Sequence, residues 1–563
     1  MLVSPVRSIL VALLVLAAVA SVAVAQDTTA AKKSSAKLPS AEKIVSDYLK
    51  AIGGKKAAAA HKDATYEWVV QLNNQSIGTA RTLRKAPASE RLELTFGNGQ
   101  IVSAANNRSA WEIGLDKQLR TLTSVEAATA KLQATLASSR LVDYKKANVL
   151  ARVVSLGDLA SEPAYVVEFS TRSGARLHYY FSLKSKLITK ITADLKNQRL
   201  VFEDYRPEQG LLEPYRIRMT LPGGPDASGE LTLVLRSVKY NTDLDDQLFD
   251  PPGATEKLDV AALLREVARN QDQTEHRVAE YSFKQTETDR EINSKGELKK
   301  QTVKVYEVFP LPNREPVQKL ISENGVPLSH ERAAKEEKRV QEEFLKAERD
   351  KEKNAQEAAR RRAEREKMNA KAAETTSKAA QPNGKSGEKN TNNNGGEKNT
   401  NNENSKDEED GSPAISLFLR VCDFVSPRRE RFEGRESIVF DFRPRAGFKP
   451  KSREESLIAK LVGVVWIDPI DKQVMRLEAR LAEGFKMAGG LLVSLKPGAA
   501  LVMEQTRMEQ GVWLPRFAQI NLSVKVLLFG GGDFNKTIQW SDYKHFSGDV
   551  KDYKIEAPAS VRP

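Results

Sequence analysis

Two stretches of the chain, about three hundred residues apart, are written to one template. Glu203-Asp204-Tyr205-Arg206-Pro207-Glu208-Gln209-Gly210-Leu211-Leu212-Glu213-Pro214 aligns without gaps on Glu504-Gln505-Thr506-Arg507-Met508-Glu509-Gln510-Gly511-Val512-Trp513-Leu514-Pro515. Upstream, Tyr180 to Ile191 matches Trp466 to Leu477, and downstream Tyr240 answers Tyr543. The separation grows from 286 residues at Tyr180 and Trp466 to 301 at Glu203 and Glu504, then 303 at the tyrosines, so the second copy carries an insert of about fifteen residues at the Gly-rich Phe485 to Ala499. Three matches in one order identify a tandem duplication, and a repeat of this length folds as a unit of its own. The chain should therefore hold two copies of one β-rich domain, 40–255 and 258–557, the second interrupted.

Each copy opens on a helix and continues in strands. Ser40 caps a helix with Ile44, Val45, Tyr48, Leu49 and Ile52 on one face, and Gly53-Gly54 stops it. The period then changes to two: Tyr66, Trp68, Val70 and Leu72 alternate with polar neighbours, as do Leu92, Leu94 and Phe96, and later Leu177, Tyr179 and Phe181. Turn signals such as Asn98-Gly99 and Ser173-Gly174 separate the strands, and one helical stretch, about Val125 to Ala137, interrupts them. In the second copy Asp259 caps a helix bearing Val260, Leu263, Leu264 and Val267, and strands resume at Tyr281. Gly530-Gly531-Gly532 reads as a hairpin turn after the apolar strand ending at Phe529.

The interruption has two parts. Residues 331–376 are nearly all Ala, Glu, Lys and Arg, with charge pairs at i,i+4 and almost no apolar stripe beyond Val340 and Phe344. They predict a solvated helix or helical hairpin, roughly 70 Å long if continuous. Residues 377–412 repeat Gly-Glu-Lys-Asn-Thr-Asn-Asn and end in an acidic run, the composition of a disordered linker.

The N-terminus predicts export. Arg7 precedes the apolar run Ile9 to Val24, which closes in Ala23-Val24-Ala25, the form of a cleaved secretory signal peptide over 1–25, followed by a loose leader over 26–39. An exported chain does not meet the genome, so its net charge of +13 points away from nucleic acid. The single cysteine, Cys422, forbids an intramolecular disulfide and reads as a buried, inert thiol.

Catalytic text is absent. Five histidines lie scattered, with no metal-ligand spacing, nucleophile elbow or phosphate loop, so no catalytic residue, metal or cofactor is assigned and the chain does not read as an enzyme. Asp468 in Trp466-Ile467-Asp468-Pro469 is ordinary turn chemistry. Inward aromatic and aliphatic residues either fill a core or line a hollow; Trp68, Leu92 and Leu94 in the first copy, and Ile520, Leu522 and Val524 in the second, are the cavity-lining candidates.

A leading helix, a curling meander, an aromatic-Ile-Asp-Pro hairpin and a Gly-Val-Trp-Leu-Pro turn resemble the outer-membrane lipoprotein-sorting superfamily, the LolA/LolB-like and RseB-like periplasmic proteins. The likeness is carried by Ala41 to Gly54 and by residues 464–477 with 504–515. It implies an α+β fold, mainly antiparallel β: two tandem half-open β-barrels, each wrapped around helices, with an apolar hollow for acyl chains or a lipoprotein's lipid. The duplication and the charged insert depart from the simple carrier, and no functional residue can be carried over. The leading expectation is a periplasmic carrier for a lipid, lipoprotein or other amphiphile. The alternative is a non-catalytic envelope structural or sensory protein that binds a protein partner.

Overall fold

The computed structural model describes residues 38–546 apart from 160–161, 196–197, 221–229, 254–257, 294–296, 312–315, 379–413, 488–492, 510 and 527–529. The expected signal segment, nearly all of the leader and the low-complexity stretch from 379 onward lie outside the described residues.

The first half begins with α1 (Ala41–Ala51), started by Ser40, whose Oγ accepts from the Lys43 backbone N–H at 3.3 Å. Its buried face carries Ile44, Val45 and Leu49. A short α2 (Lys55–Ala60) follows, then β1 (Asp63–Leu72), β2 (Gln75–Lys85), β3 (Ser89–Phe96), β4 (Gly99–Ala105), β5 (Ala110–Ile113) and β6 (Leu119–Thr121). Helix α3 (Ser124–Ser138) interrupts. The sheet resumes with β7 (Leu150–Leu159), β8 (Glu162–Ser170), β9 (Arg176–Ser182), β10 (Ile188–Ala193), β11 (Arg199–Glu208), β12 (Leu211–Thr220) and β13 (Glu230–Tyr240). The order across this sheet is β6-β5-β4-β3-β2-β1-β13-β12-β11-β10-β9-β8-β7. Two meanders are thus joined where β13 returns beside β1, in the register Ala64 opposite Tyr240.

The second half repeats this plan. Helix α4 (Val260–Val278), with the Ala262 N–H donating to Asp259 Oδ1 at 2.9 Å, leads into β14 (Tyr281–Ile292), β15 (Leu298–Phe309), β16 (Val317–Glu323) and β17 (Val326–Pro327). Helices α5 (His330–Lys378) and α6 (Ala414–Val421) stand where the first half has β5, β6 and α3. Then come β18 (Cys422–Phe432), β19 (Arg435–Pro444), α7 (Arg453–Ile458), β20 (Leu461–Ile467), β21 (Val474–Leu481), β22 (Phe485–Met487), β23 (Val493–Leu495), β24 (Ala500–Arg507), β25 (Trp513–Val526) and β26 (Gly530–His545). The order β17-β16-β15-β14-β26-β25-β24-β21-β20-β19-β18 matches the first sheet from β4 to β7; β5 and β6 have no counterpart on this path. Tyr180 and Trp466 fall on the third strand from the same edge, and Pro214 and Pro515 on the strand next to the closing one. The added hairpin β22–β23 lies off the path, inside the stretch where the repeat requires an insert. Both sheets stay open, so the fold is α+β with two half-barrels.

The template glycines explain themselves. Gly210 and Gly511 close the equivalent β11–β12 and β24–β25 turns with φ of +86° and +79°, a left-handed backbone that costs a side chain strain. The Leu212 N–H, just past the first of these turns, also donates to the Ile52 carbonyl at 2.9 Å, which pins the end of α1 to the sheet. One turn reading needs correction. Gly530, Gly531 and Gly532 begin β26, opposite Val526, Lys525 and Val524, and residues 527–529 between the two strands lie outside the described residues. A flexible backbone run pairs as readily as it turns.

Helix α5 is single and continuous through 49 residues, the helix rather than the hairpin of the two forms expected, and its described side chains are mostly exposed. Among its described side chains, those buried lie near its start: Val340 and Phe344 pack with Leu311 and Val317, and Lys319 meets Glu337 at 2.5 Å.

The halves meet along β6 and β18 through buried polar groups. Thr121 donates to Glu430 from its backbone N–H at 2.8 Å and its hydroxyl at 2.6 Å, and Ser109 donates to Asp441 at 2.7 Å. Arg428, 1% exposed, pairs with Asp441 at 3.0 Å and with Glu430 at 2.9 Å.

Candidate functional site

The first sheet curls around α1 and α3, and between helices and sheet lies a cavity of about 90 Å³. Its walls are apolar, including Ile52, Leu136, Leu141, Ile188, Phe202 and Ile217. The alternation along β10, β11 and β12 turns these side chains to the concave face. Its floor is polar. Glu213 accepts from the Tyr66 hydroxyl at 3.0 Å and from the Tyr240 hydroxyl at 2.7 Å, and the Arg140 guanidinium lies 3.5 Å from the same carboxylate. Arg140 also donates to the Tyr66 oxygen at 3.1 Å, and Arg84 stands over the Tyr66 ring at 5.2 Å. Burial, followed by the nearby Glu213 charge, pushes the Tyr66 phenol up to about 12. Burial holds the Tyr48 and Tyr179 phenols well above their ordinary value too. At neutral pH these rings keep their protons, and Tyr66 donates its own to Glu213.

Chemically the hollow offers an apolar lining ending at one buried arginine–carboxylate pair. Among the described residues no group of three or more potential ligands could hold a metal ion.

The candidates drawn from the sequence fall in three places. Trp68 is buried and lines this cavity, its indole N–H fixed on the Thr82 hydroxyl at 3.1 Å. Leu94 is buried and Leu92 partly so, both in the adjoining cluster with Tyr66 and Trp68. Ile520 and Leu522, each 3% exposed, sit in the large second-half cluster with Leu477, Leu501 and Ala518 and line neither of the two cavities described here. Val524 pairs with Gly532 on one side and Leu495 on the other; its side chain lies outside the described residues. The structure therefore joins only Trp68 to the hollow. Arg140, Glu213 and Tyr48 are the residues that the pattern did not single out. A signal existed: Glu213 occupies the template position that in the second copy is Leu514, fully buried. A carboxylate replacing an inward leucine marks a polar floor.

Other groups weighed in the sequence are structural. Asp468 Oδ1 accepts from the Ile470 and Asp471 N–H groups, both at 2.8 Å, while Oδ2 holds Arg435. Burial raises the Cys422 thiol to about 12, far from a reactive thiolate.

No protein-family model matches this chain, and no curated protein matches it in sequence. Solved structures do match. A LolA superfamily protein from Nitrosomonas europaea shares 14% identity over 38% of this chain and 99% of its own, with a TM-score of 0.27. A DUF1329 family protein from Desulfovibrio piger shares 11% over 37% and 96%, with a TM-score of 0.26. The Pseudomonas aeruginosa MucA/MucB complex matches over 89% of this chain and 99% of the matched chain at 8% identity and a TM-score of 0.17. They include the LolA superfamily to which the sequence resemblance pointed. The superpositions are loose and carry no ligand, partner or residue role across.

Proposed function

We propose that this is an exported, non-catalytic binding protein whose first half takes the apolar part of an amphiphile, a lipid or a lipoprotein's lipid, between the sheet and helices α1 and α3. The observation that carries this reading is the apolar hollow ending on the buried Arg140–Glu213 pair, at a position the sister copy fills with leucine. A polar group of the ligand can exchange hydrogen bonds with that floor while its chain lies along Ile188, Phe202 and Ile217. At about 90 Å³ the resting hollow is smaller than the ~150 Å³ cavity that accommodates benzene, so loading requires α1 or α3 to lift from the sheet. Among the described residues no helix is long and apolar enough to cross a membrane.

Native mass spectrometry of the protein purified from the cell envelope, beside titration with a fluorescent fatty acid, tests the reading. A co-purified lipid, or saturable uptake weakened by Ile191→Phe in the wall of the hollow, supports it. Absence of both overturns it and favours the second reading, an envelope structural or sensory protein that meets a protein partner. That alternative draws on α5, a long charged helix whose described side chains are buried at Val340 and Phe344 near its start.

A further inference from the structure

A second cavity, of about 140 Å³, lies between the halves. Helix α3 of the first half faces strands β20, β21, β24 and β25 of the second across it, and it shares no lining residue with the hollow above. Three basic side chains line it: Lys131, Arg172 and Arg480. Lys131 Nζ donates to the Arg108 carbonyl at 2.8 Å. An Arg480 Nη donates to the Asn107 carbonyl at 2.9 Å and side-chain oxygen at 3.1 Å, while Arg480 Nε is buried with no hydrogen-bond partner among the described residues. Arg172 donates to Asn148 Oδ1 at 2.9 Å.

One carboxylate shares the lining, and it is already engaged. Glu478 accepts from Arg476 at 2.9 and 2.5 Å and from the Ser124 N–H at 2.9 Å. Lys131 and Arg480, both half-buried, thus rest on neutral oxygens. Burial pulls the Lys131 ammonium down to about 8, with Arg480 adding to the fall against Glu478 and Asp441. Burial alone holds Arg480 below its ordinary value. Cations partly withdrawn from water without a matching anion carry a desolvation cost, and an anion that bridges them removes much of it.

We propose that this inter-half cavity binds an oxyanion, a phosphate or carboxylate group, between Arg480 and Lys131. The unpartnered Nε of Arg480 offers one donor to an oxygen, and Lys131 supplies a compact charge in the same lining. The volume equals roughly four or five waters at ~30 Å³ each, room for the anionic group and the first atoms it is attached to. Leu132, Val149 and Leu501 in the lining would meet those atoms. A free phosphate and an amphiphile's head group share this chemistry.

The test uses the full chain at pH 7 and fixed ionic strength, with inorganic phosphate and hexyl phosphate as probes, read by isothermal titration and thermal shift. Binding of either probe is expected, weakened about tenfold by Lys131→Met and by Arg480→Gln, with Arg480→Lys less impaired for keeping the charge. Tighter binding of hexyl phosphate identifies a head-group site, and equal binding a free-ion site. Circular dichroism of each variant separates lost binding from lost folding. Absence of binding by both probes, or undiminished binding by folded Lys131→Met and Arg480→Gln, overturns the proposal. The lipid reading of the hollow would survive that failure, because Ile191→Phe probes a separate wall.

Discussion

The same strand position carries an acid in both halves, and the two acids keep different company. Glu168 on β8 stands opposite His178 on β9, and Asp441 on β19 stands opposite Val464 on β20, which is His178's equivalent in the repeat. Both acids are buried and both meet an arginine from the preceding strand, Arg152 at 2.8 Å and Arg428 at 3.0 Å. Arg152 keeps 29% of its side chain in solvent and Glu168 also contacts a titratable histidine. Arg428 is closed off by Thr121 and Asp441 by Ser109, both from the other half. One template ion pair has thus become a surface-linked switchable pair in the first copy and a sealed joint in the second. Duplication preserves the strand plan; the neighbour that covers a position decides its physics.

The sharpest way to break this comparison is at the joint. Arg428→Met leaves Asp441 and Glu430 buried without their main cation, and a broken buried pair costs about 3–5 kcal/mol. Urea unfolding should show that loss, together with weaker coupling between the halves. Arg152→Met, at the equivalent pair, should cost about 1 kcal/mol or less, because solvent and His178 remain beside Glu168. Equal losses would show that coverage by the other half makes no difference.

The next contrast lies in packing. Leu522 sits in a filled core opposite Phe534, whereas Ile191 lines the first-half hollow. Leu522→Trp should destabilise by about 1–3 kcal/mol through overpacking. Ile191→Phe should cost less than about 1 kcal/mol while reducing uptake of a fluorescent fatty acid, since a hollow accepts bulk that a core rejects. Thermal melts of the two variants compare the halves directly. A larger loss from Ile191→Phe would mean that the first half is as full as the second.

Much of the strand plan was legible because apolar alternation wrote it, as at Leu177, Tyr179 and Phe181 or along Ile520 and Leu522. Strands whose buried positions are polar were not. β2 buries Thr82 among arginines, and β18 buries Arg428 and Glu430, residues that alternation assigns to solvent. Their burial comes from partners far along the chain: Arg428 and Glu430 are covered by Thr121, 307 and 309 residues away. The site failed to appear for the same reason. Arg140 is an unremarkable charge until folding brings a helix end against β12, and Glu213 stands out only beside Leu514 of the sister copy. Trp68 was legible because a tryptophan on an inward strand position has few places to go. The inter-half cavity depends on docking one copy against the other, which no periodicity within a copy encodes.

The smallest expected effect tests whether the first-half pair is a charge device or packing. His178 lies 3.4 Å from Glu168 and 3.3 Å from Asp194. The bond to Glu168 raises its pKa above the ordinary value against the pull of burial, with Asp194 adding to the rise, while the same contact is the largest of those holding Glu168 down at about 2. A base with a raised folded pKa adds stability that is fully present below its unfolded value, about 6.5, and fades as pH climbs through the raised value. Glu168 acts in the opposite sense: its contribution holds above about 4.5 and fades only as pH falls toward 2. Between these limits both charges are present, so pH 5.5 is where the pair contributes most. His178→Gln should therefore lower stability at pH 5.5 by about 1 kcal/mol or less, since Asp194 is largely exposed and Arg152 still neutralises Glu168. At pH 9 variant and parent should unfold at the same urea concentration. An equal loss at both pH values would assign His178 to shape alone, and the two template pairs would then differ only in how deeply they are buried.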